Sequence, residues 1–151
     1  MPTTLGTPYA GAWEGVPPHM SGEDLELWQK YRTTAIKNSI HLYFDVGLGG
    51  QTDVPPGTAP EMAVMWLRNT QKRIDVLVEE ENKWVIIELR ARAQSSAIGR
   101  ILLYLDLWKL DPPDNKPVEL RIVTDTEDRD VKTLSEKLGI IFVLAGEIRT
   151  L

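Results

Sequence analysis

The sequence predicts an α/β domain with a mixed central sheet flanked by helices. Three observations point there. Apolar runs of period two and segments of helical period follow one another as helix, four strands, helix, strand, helix, strand. Residues 72–92 hold two apolar, β-branched arms, Ile74–Val78 and Trp84–Leu89, around the polar Glu79–Lys83, which is a hairpin signal. The chain has 151 residues, 42% of them hydrophobic, enough for one domain with a real core and without a run long enough to span a membrane.

Residues 1–20, MPTTLGTPYAGAWEGVPPHM, are punctuated by Gly and Pro and show no period. We read them as an extended N-terminal arm and residues 21–151 as the domain. Leu5, Tyr9, Trp13 and Val16 are more apolar surface than a flexible tail needs, so the arm is held either by its own domain or by another polypeptide. Ordering each residue costs about 1–2 kcal/mol, and on that ground a neighbouring chain is the expected surface.

Ser21 opens a helix with Glu23 and Asp24 in its first turn and a stripe of Leu25, Trp28, Tyr31 and Ala35. Ile40, Leu42, Phe44 and Val46 alternate with His41, Tyr43 and Asp45, a strand with one buried face. His41 is read as an exposed strand residue. The loop GLGGQTDVPPGTAPE, residues 47–61, is long enough to be an interaction element but has no phosphate-loop lysine. Met62 to Leu67 reads as a further strand, with Trp66 in the core or on a neighbour.

A helix over residues 97–110 is capped by Ser95 or Ser96, carries a stripe of Ile98, Ile101, Leu102, Leu105 and Trp108 with Tyr104 at its edge, and stops at Asp111-Pro112-Pro113. Val118, Leu120 and Ile122 make a strand. Arg129 to Leu138 is a short helix with Val131, Leu134 and Leu138 inward, ended by Gly139. The unbroken run Ile140 to Leu144 predicts a fully buried strand, and the tail AGEIRTL a short edge element.

Composition excludes several chemistries. There is no cysteine, so no disulfide or thiolate metal site, and His19 and His41 are too few for a multi-histidine zinc site. The N-terminus lacks a basic segment followed by an apolar one, so no signal peptide is expected and the cytoplasm is the natural place of synthesis. The net charge of −5 and pI of about 5.1 argue against tight, non-specific DNA binding. Arg73, Arg90, Arg92 and Arg100 leave room for a local basic patch.

The hairpin carries the chemistry. With Glu81-Asn82 as its loop, Asp75 falls directly opposite Glu88 and Arg73 opposite Arg90. Like charges across a strand pair are destabilising. Either a hard cation such as Mg²⁺ offsets the repulsion, or Arg73 and Arg90 pair with the carboxylates; the residues alone leave both open.

An Asp in one strand, Glu-x-Lys in the next and then a helix resembles the PD-(D/E)xK nuclease family. Here the residues are Asp75 and Glu88-Leu89-Arg90, followed by Arg100-Ile-Leu-Leu-Tyr104 where that family has Gln-x-x-x-Tyr. The resemblance covers about Ile40 to Leu144, and with LYFDVGLGG upstream the chain is also similar to short nuclease-like proteins of tailed phages. It implies a restriction-endonuclease-like core, Asp75 and Glu88 as Mg²⁺ ligands, Arg90 and Arg100 at the lysine and glutamine positions, Tyr104 beside them, and one further glutamate from the first helix, Glu26. Arginine stabilises charge but stays protonated and cannot act as a base, and its fork can occupy the metal's space.

We therefore expect a non-catalytic member acting as a structural component, plausibly of a phage virion around the neck or tail. Protein partners or further copies would bind through the arm and the 47–61 loop. No cofactor is then expected. The alternative is a Mg²⁺-dependent DNA nuclease using Asp75 and Glu88.

Overall fold

The computed structural model describes residues 3–35 and 37–145. One six-stranded sheet runs in the order β1-β2-β3-β4-β5-β6, which is also the order in the chain. The strands are β1 (Tyr9–Ala10), β2 (Ser39–Leu48), β3 (Lys72–Glu80), β4 (Trp84–Arg92), β5 (Val118–Thr126) and β6 (Ile140–Leu144). The helices are α1 (Gly22–Ala35), α2 (Pro60–Thr70), α3 (Ser95–Leu110) and α4 (Arg129–Lys137). Strands β1 to β4 pair antiparallel, while β4, β5 and β6 pair parallel. The sheet is therefore mixed and the fold α/β, as expected. The parallel joins need crossovers, and α3 and α4 supply them.

The two faces of the sheet bury different cores. On one, Leu27, Trp28 and Tyr31 of α1 pack over Val76, Val78, Val85, Ile87, Leu89 and Val123. On the other, Ala97, Ile98, Ile101, Tyr104 and Trp108 of α3, with Val131 of α4, cover Ile74, Leu77, Ile86, Ile122 and Phe142. The α1 stripe is thus Leu27, Trp28 and Tyr31, with Leu25 only half-buried. The expectation for Ala35's side chain lies outside the described residues. In α3, Ala97 and Tyr104 face the core while Leu102 and Leu105 are half-buried. Gln94, not Ser95 or Ser96, occupies the helix's N-cap position, without a side-chain cap bond.

Several expectations are corrected. Residues 62–67 are not a strand but the middle of α2, which starts at a proline, a residue suited to the first helical turn. None of its side chains, all described, is buried: Met62, Val64, Met65 and Trp66 are 49–61% exposed. Trp66 is in neither core, and its indole N–H donates to Gln51 Oε1 at 2.9 Å. The connecting loop is shorter than read, because Gly47 and Leu48 continue β2. Substituting Met65→Lys is expected to leave stability within about 0.5 kcal/mol, as exposed positions do; urea unfolding checks this.

Strand β2 is buried on both faces, with Leu42 and Phe44 in the α1-side core and Tyr43, Val46 and Leu48 in the α3-side core. Ile40 is exposed at its start, and His41 is half-buried with Nδ1 2.8 Å from Glu79 Oε1. Leu134 of α4 and its C-cap residue Leu138 are exposed; Val131 and Ser135 turn inward. Asp128 caps that helix by accepting from the backbone N–H groups of Asp130 and Val131. Gly139 follows it at φ 78°, a left-handed turn that glycine adopts without penalty. β6 buries only Ile140 and Phe142 and exposes Ile141, so it is half-buried rather than fully enclosed. The tail element beyond Ala145 lies outside the described residues.

Residues 3–20 pack on their own sheet, which replaces the expectation that another polypeptide holds them. Tyr9 pairs with Leu42, and Thr4 and Gly47 exchange backbone hydrogen bonds of 2.8 and 3.0 Å. Tyr9, Trp13 and Phe44 form an aromatic trio with centroids 4.3–5.8 Å apart. Leu5 leans on the α3-side core, Pro17 is buried, and Val16 is exposed. Sheet edge and aromatic faces together provide the surface that the entropic argument assigned to a neighbour.

Candidate functional site

The site grows from the end of the β3–β4 hairpin. Its loop is Glu81-Asn82, and Glu80 N–H donates to Lys83 O at 2.9 Å. The ladder runs from Glu79↔Trp84 to Val76↔Ile87. One step further brings Asp75 beside Glu88. There a side chain takes over from the ladder: Leu89 N–H donates to Asp75 Oδ2 at 2.9 Å.

Asp45, on the neighbouring strand, explains why the alternation changes here. It sits at φ 56°, in the left-handed region that a residue with a Cβ seldom adopts. Phe44 and Val76 pack under α1, while Val46 and Ile74, two residues along each strand, pack under α3. Both strands thus switch faces at Asp45 and Asp75. Arg73 does not pair with Asp75. Its Nη1 is 3.0 Å from Asp45 Oδ2, and its Nη2 donates to Arg68 O at 2.8 Å.

Glu88 is enclosed, its side chain 2% exposed, and both its oxygens have partners. Arg90 Nε donates to Oε2 at 2.7 Å, and Arg100 Nε lies 3.9 Å from the same oxygen. Tyr104 OH lies 3.3 Å from Oε1 but gives its shorter bond, 2.6 Å, to Arg73 O. Arg100 Nε in turn donates to Tyr104 OH at 2.9 Å. The structure therefore brings Asp75, Glu88, Arg90, Arg100 and Tyr104 together around one buried carboxylate.

Burial, and then the charge of Glu88, push the Asp75 carboxyl up to about 8. Burial and Glu88 also push the Tyr104 phenol above its ordinary value, so it remains a neutral donor. The acid that α1 turns toward this cluster is Asp24, not Glu26. Its carboxyl is raised by burial and lowered by nearby Arg90, and its charge reaches Asp75. Spacing carried that signal: Asp24, itself exposed, lies one turn before the buried Trp28 and two before Tyr31, on the same helix face.

The donors do not fit a metal in this arrangement. Each carboxylate oxygen with a close partner is held by Arg90, Tyr104 or the Leu89 amide. Among the described residues, no three His, Asp or Glu side chains are grouped to hold an ion. Three spaces adjoin the cluster. A cavity of about 50 Å³ lies between Asp75, Asp45, Asp24 and Pro18-His19-Met20. A cleft of about 570 Å³ is lined by Asp24, Arg90, Arg92, Gln94 and Asp125 among others. A second cleft, of about 550 Å³, lies beside Lys72, Arg73, Ser96 and Arg100.

No family model matches the chain, and no curated protein matches it. Two solved structures are similar to part of it. One is a repair endonuclease from Pyrococcus abyssi, 26% identical, with 51% of this chain and 34% of that one covered and a TM-score of 0.42. The other is an EndoMS–dsDNA complex, 20% identical, with 70% and 37% covered and a TM-score of 0.42. The matched part spans about a third of either solved chain.

Proposed function

We propose that this chain is a nuclease-like domain that does not cut nucleic acid and serves as a structural, assembly component. The observation that carries this reading is the 2.7 Å bond from Arg90 to Glu88, made where the motif would have lysine. The guanidinium occupies the oxygen that a hard cation would need, and it has no neutral form with which to activate water. The virion setting rests on the sequence similarity to short nuclease-like proteins of tailed phages. The exposed apolar side chains of α2 offer surface for a protein contact.

A second reading, a Mg²⁺-dependent DNA nuclease, is favoured by half-buried Asp75 standing beside buried Glu88. Two carboxyls held side by side across a strand pair cost stability in a purely structural role. Supercoiled plasmid incubated with the protein and Mg²⁺ or Mn²⁺ separates the readings. No conversion to nicked or linear DNA is expected. Cleavage by the wild type that disappears in Glu88→Ala would establish the nuclease and overturn the structural role.

A further inference from the structure

The sheet ends at β6, and among the described residues no strand lies beyond it. Its backbone shows which groups are left over. Ala145 N–H donates to Thr124 O at 2.8 Å, so that residue turns its polar groups toward β5. Successive residues of a strand turn them to opposite sides. Ile141 and Val143 therefore also face β5, while the N–H and C=O groups of Ile140, Phe142 and Leu144 point outward.

Edge strands that stay single are blunted by charges, prolines or bulges. β6 reads IIFVL and keeps an unbroken register against β5, so it has none of these. The opposite edge differs, because β1 is only two residues long. Apolar side chains flank β6 on both faces. Ile141 is 43% exposed, and by alternation it lies on the α1 side with half-buried Val143. Toward the other face, Leu134 and Leu138 are exposed, and a cleft of about 340 Å³ opens beside the strand, lined by Glu136, Gly139, Ile140, Ile141 and Phe142.

We propose that β6 pairs antiparallel with the β6 of a second copy of this chain, across a two-fold axis at Phe142. Phe142 then lies opposite its own counterpart, and Ile140 lies opposite Leu144 of the second copy. Each outward N–H meets an outward carbonyl, because the residues that face out on one copy face out on the other. An axis at Ile141 or Val143 would leave Leu144 or Ile140 beyond the end of the facing strand. With the axis at Phe142, Ile141 comes opposite Val143 of the second copy, an apolar cross-strand pair.

The charges suit a copy as the occupant. Two chains of net charge −5 repel each other, and they meet most easily where that charge is locally absent. β6 is uncharged, and beside it Glu136 and Lys137 of α4, both exposed, are of opposite sign. An edge built for an acidic or a basic partner would carry the opposing charge. The inference goes beyond the proposed function, since it holds whether or not the domain cuts nucleic acid.

The test follows the full chain by sedimentation equilibrium and by amide hydrogen exchange, from dilute to concentrated solution. The mass is expected to rise from that of one chain to that of two and to stop there, since a two-fold contact closes. Exchange at the Phe142 and Leu144 amides is expected to slow with concentration, while Val143, paired to β5, is protected throughout. Ile141→Lys puts a charge into the contact at a position already exposed, and is expected to raise the dimer dissociation constant at least about tenfold. An unchanged Val143 amide shows that β6 is still in place. Should Ile141→Lys loosen that amide, the concentration dependence of the wild type decides. Met65→Lys, on α2, is expected to leave the association as it was. A mass that stays at one chain overturns the proposal, whether the Phe142 and Leu144 amides are then fast, with the edge open, or slow, with the edge covered by the chain itself. Growth past two chains overturns it, and so does association that withstands Ile141→Lys or is abolished by Met65→Lys.

Discussion

Replacing Arg90 by methionine is expected to destabilise the domain by about 3 kcal/mol, seen as an earlier midpoint in urea at unchanged slope. Glu88 is enclosed, and Arg90 is its close ionic partner at 2.7 Å. Without the guanidinium, the carboxylate keeps only Tyr104 at 3.3 Å and Arg100 at 3.9 Å. Breaking a buried pair from one side costs about 3–5 kcal/mol because the orphaned charge remains. The low end applies because the Arg90 side chain is 36% exposed, so water reaches the vacated space. The companion experiment is Arg90→Met with Glu88→Leu. Removing both charges should recover most of the loss, since apolar replacements of similar volume are often neutral. A double variant no more stable than Arg90→Met would show that the guanidinium stabilises the strand end by packing and not through Glu88.

Stability is expected to fall as pH rises between about 4 and about 8, with Asp75 as the main source. The folded carboxyl is raised to about 8 from an ordinary value of 3.8. Across that window the folded state holds a proton that the unfolded state has released. The stabilisation is therefore complete below the unfolded value and is lost as pH climbs through the folded one. One proton corresponds to at most about 1.4 kcal/mol per pH unit. Burial dominates the shift, the charges of Glu88 and Asp24 add to it, and the Leu89 amide opposes it. Asp75→Asn keeps a hydrogen-bonding side chain without the titrating proton, and should flatten the dependence. Urea midpoints at intervals across the window test this, and a wild-type slope that survives Asp75→Asn would assign it elsewhere.

Sequence reasoning placed the hairpin register and missed the geometry around it, for separate reasons. Loop length sets the register of a hairpin. A two-residue loop at Glu81-Asn82 therefore sufficed to put Asp75 beside Glu88. The alternation rule then failed at Asp45, because a left-handed residue rotates the strand and nothing local in FDVG announces that rotation. The partner of Arg73 consequently became Asp45 rather than Asp75. The α2 segment was misread because a short apolar run such as AVMWL suits a strand or a helix equally by period. What decided it was the proline at its first turn and its position off the sheet. The N-terminal arm was set against another chain because an edge able to receive a two-residue strand is a property of the assembled sheet, invisible in residues 1–20 themselves.

The coincidence of strand order and chain order bears on how the molecule forms. Each strand hydrogen-bonds to the strand made just before it, so a growing chain can extend the sheet one edge at a time without threading past a finished layer. The β3–β4 hairpin, whose partners are closest in sequence, has the least loop-closure entropy to overcome and is the natural seed. Growth from that seed adds β2 on one side and β5 then β6 on the other. The Glu88 carboxylate would then be enclosed only afterwards, when α3 and α1 settle on the two faces of a sheet already paired.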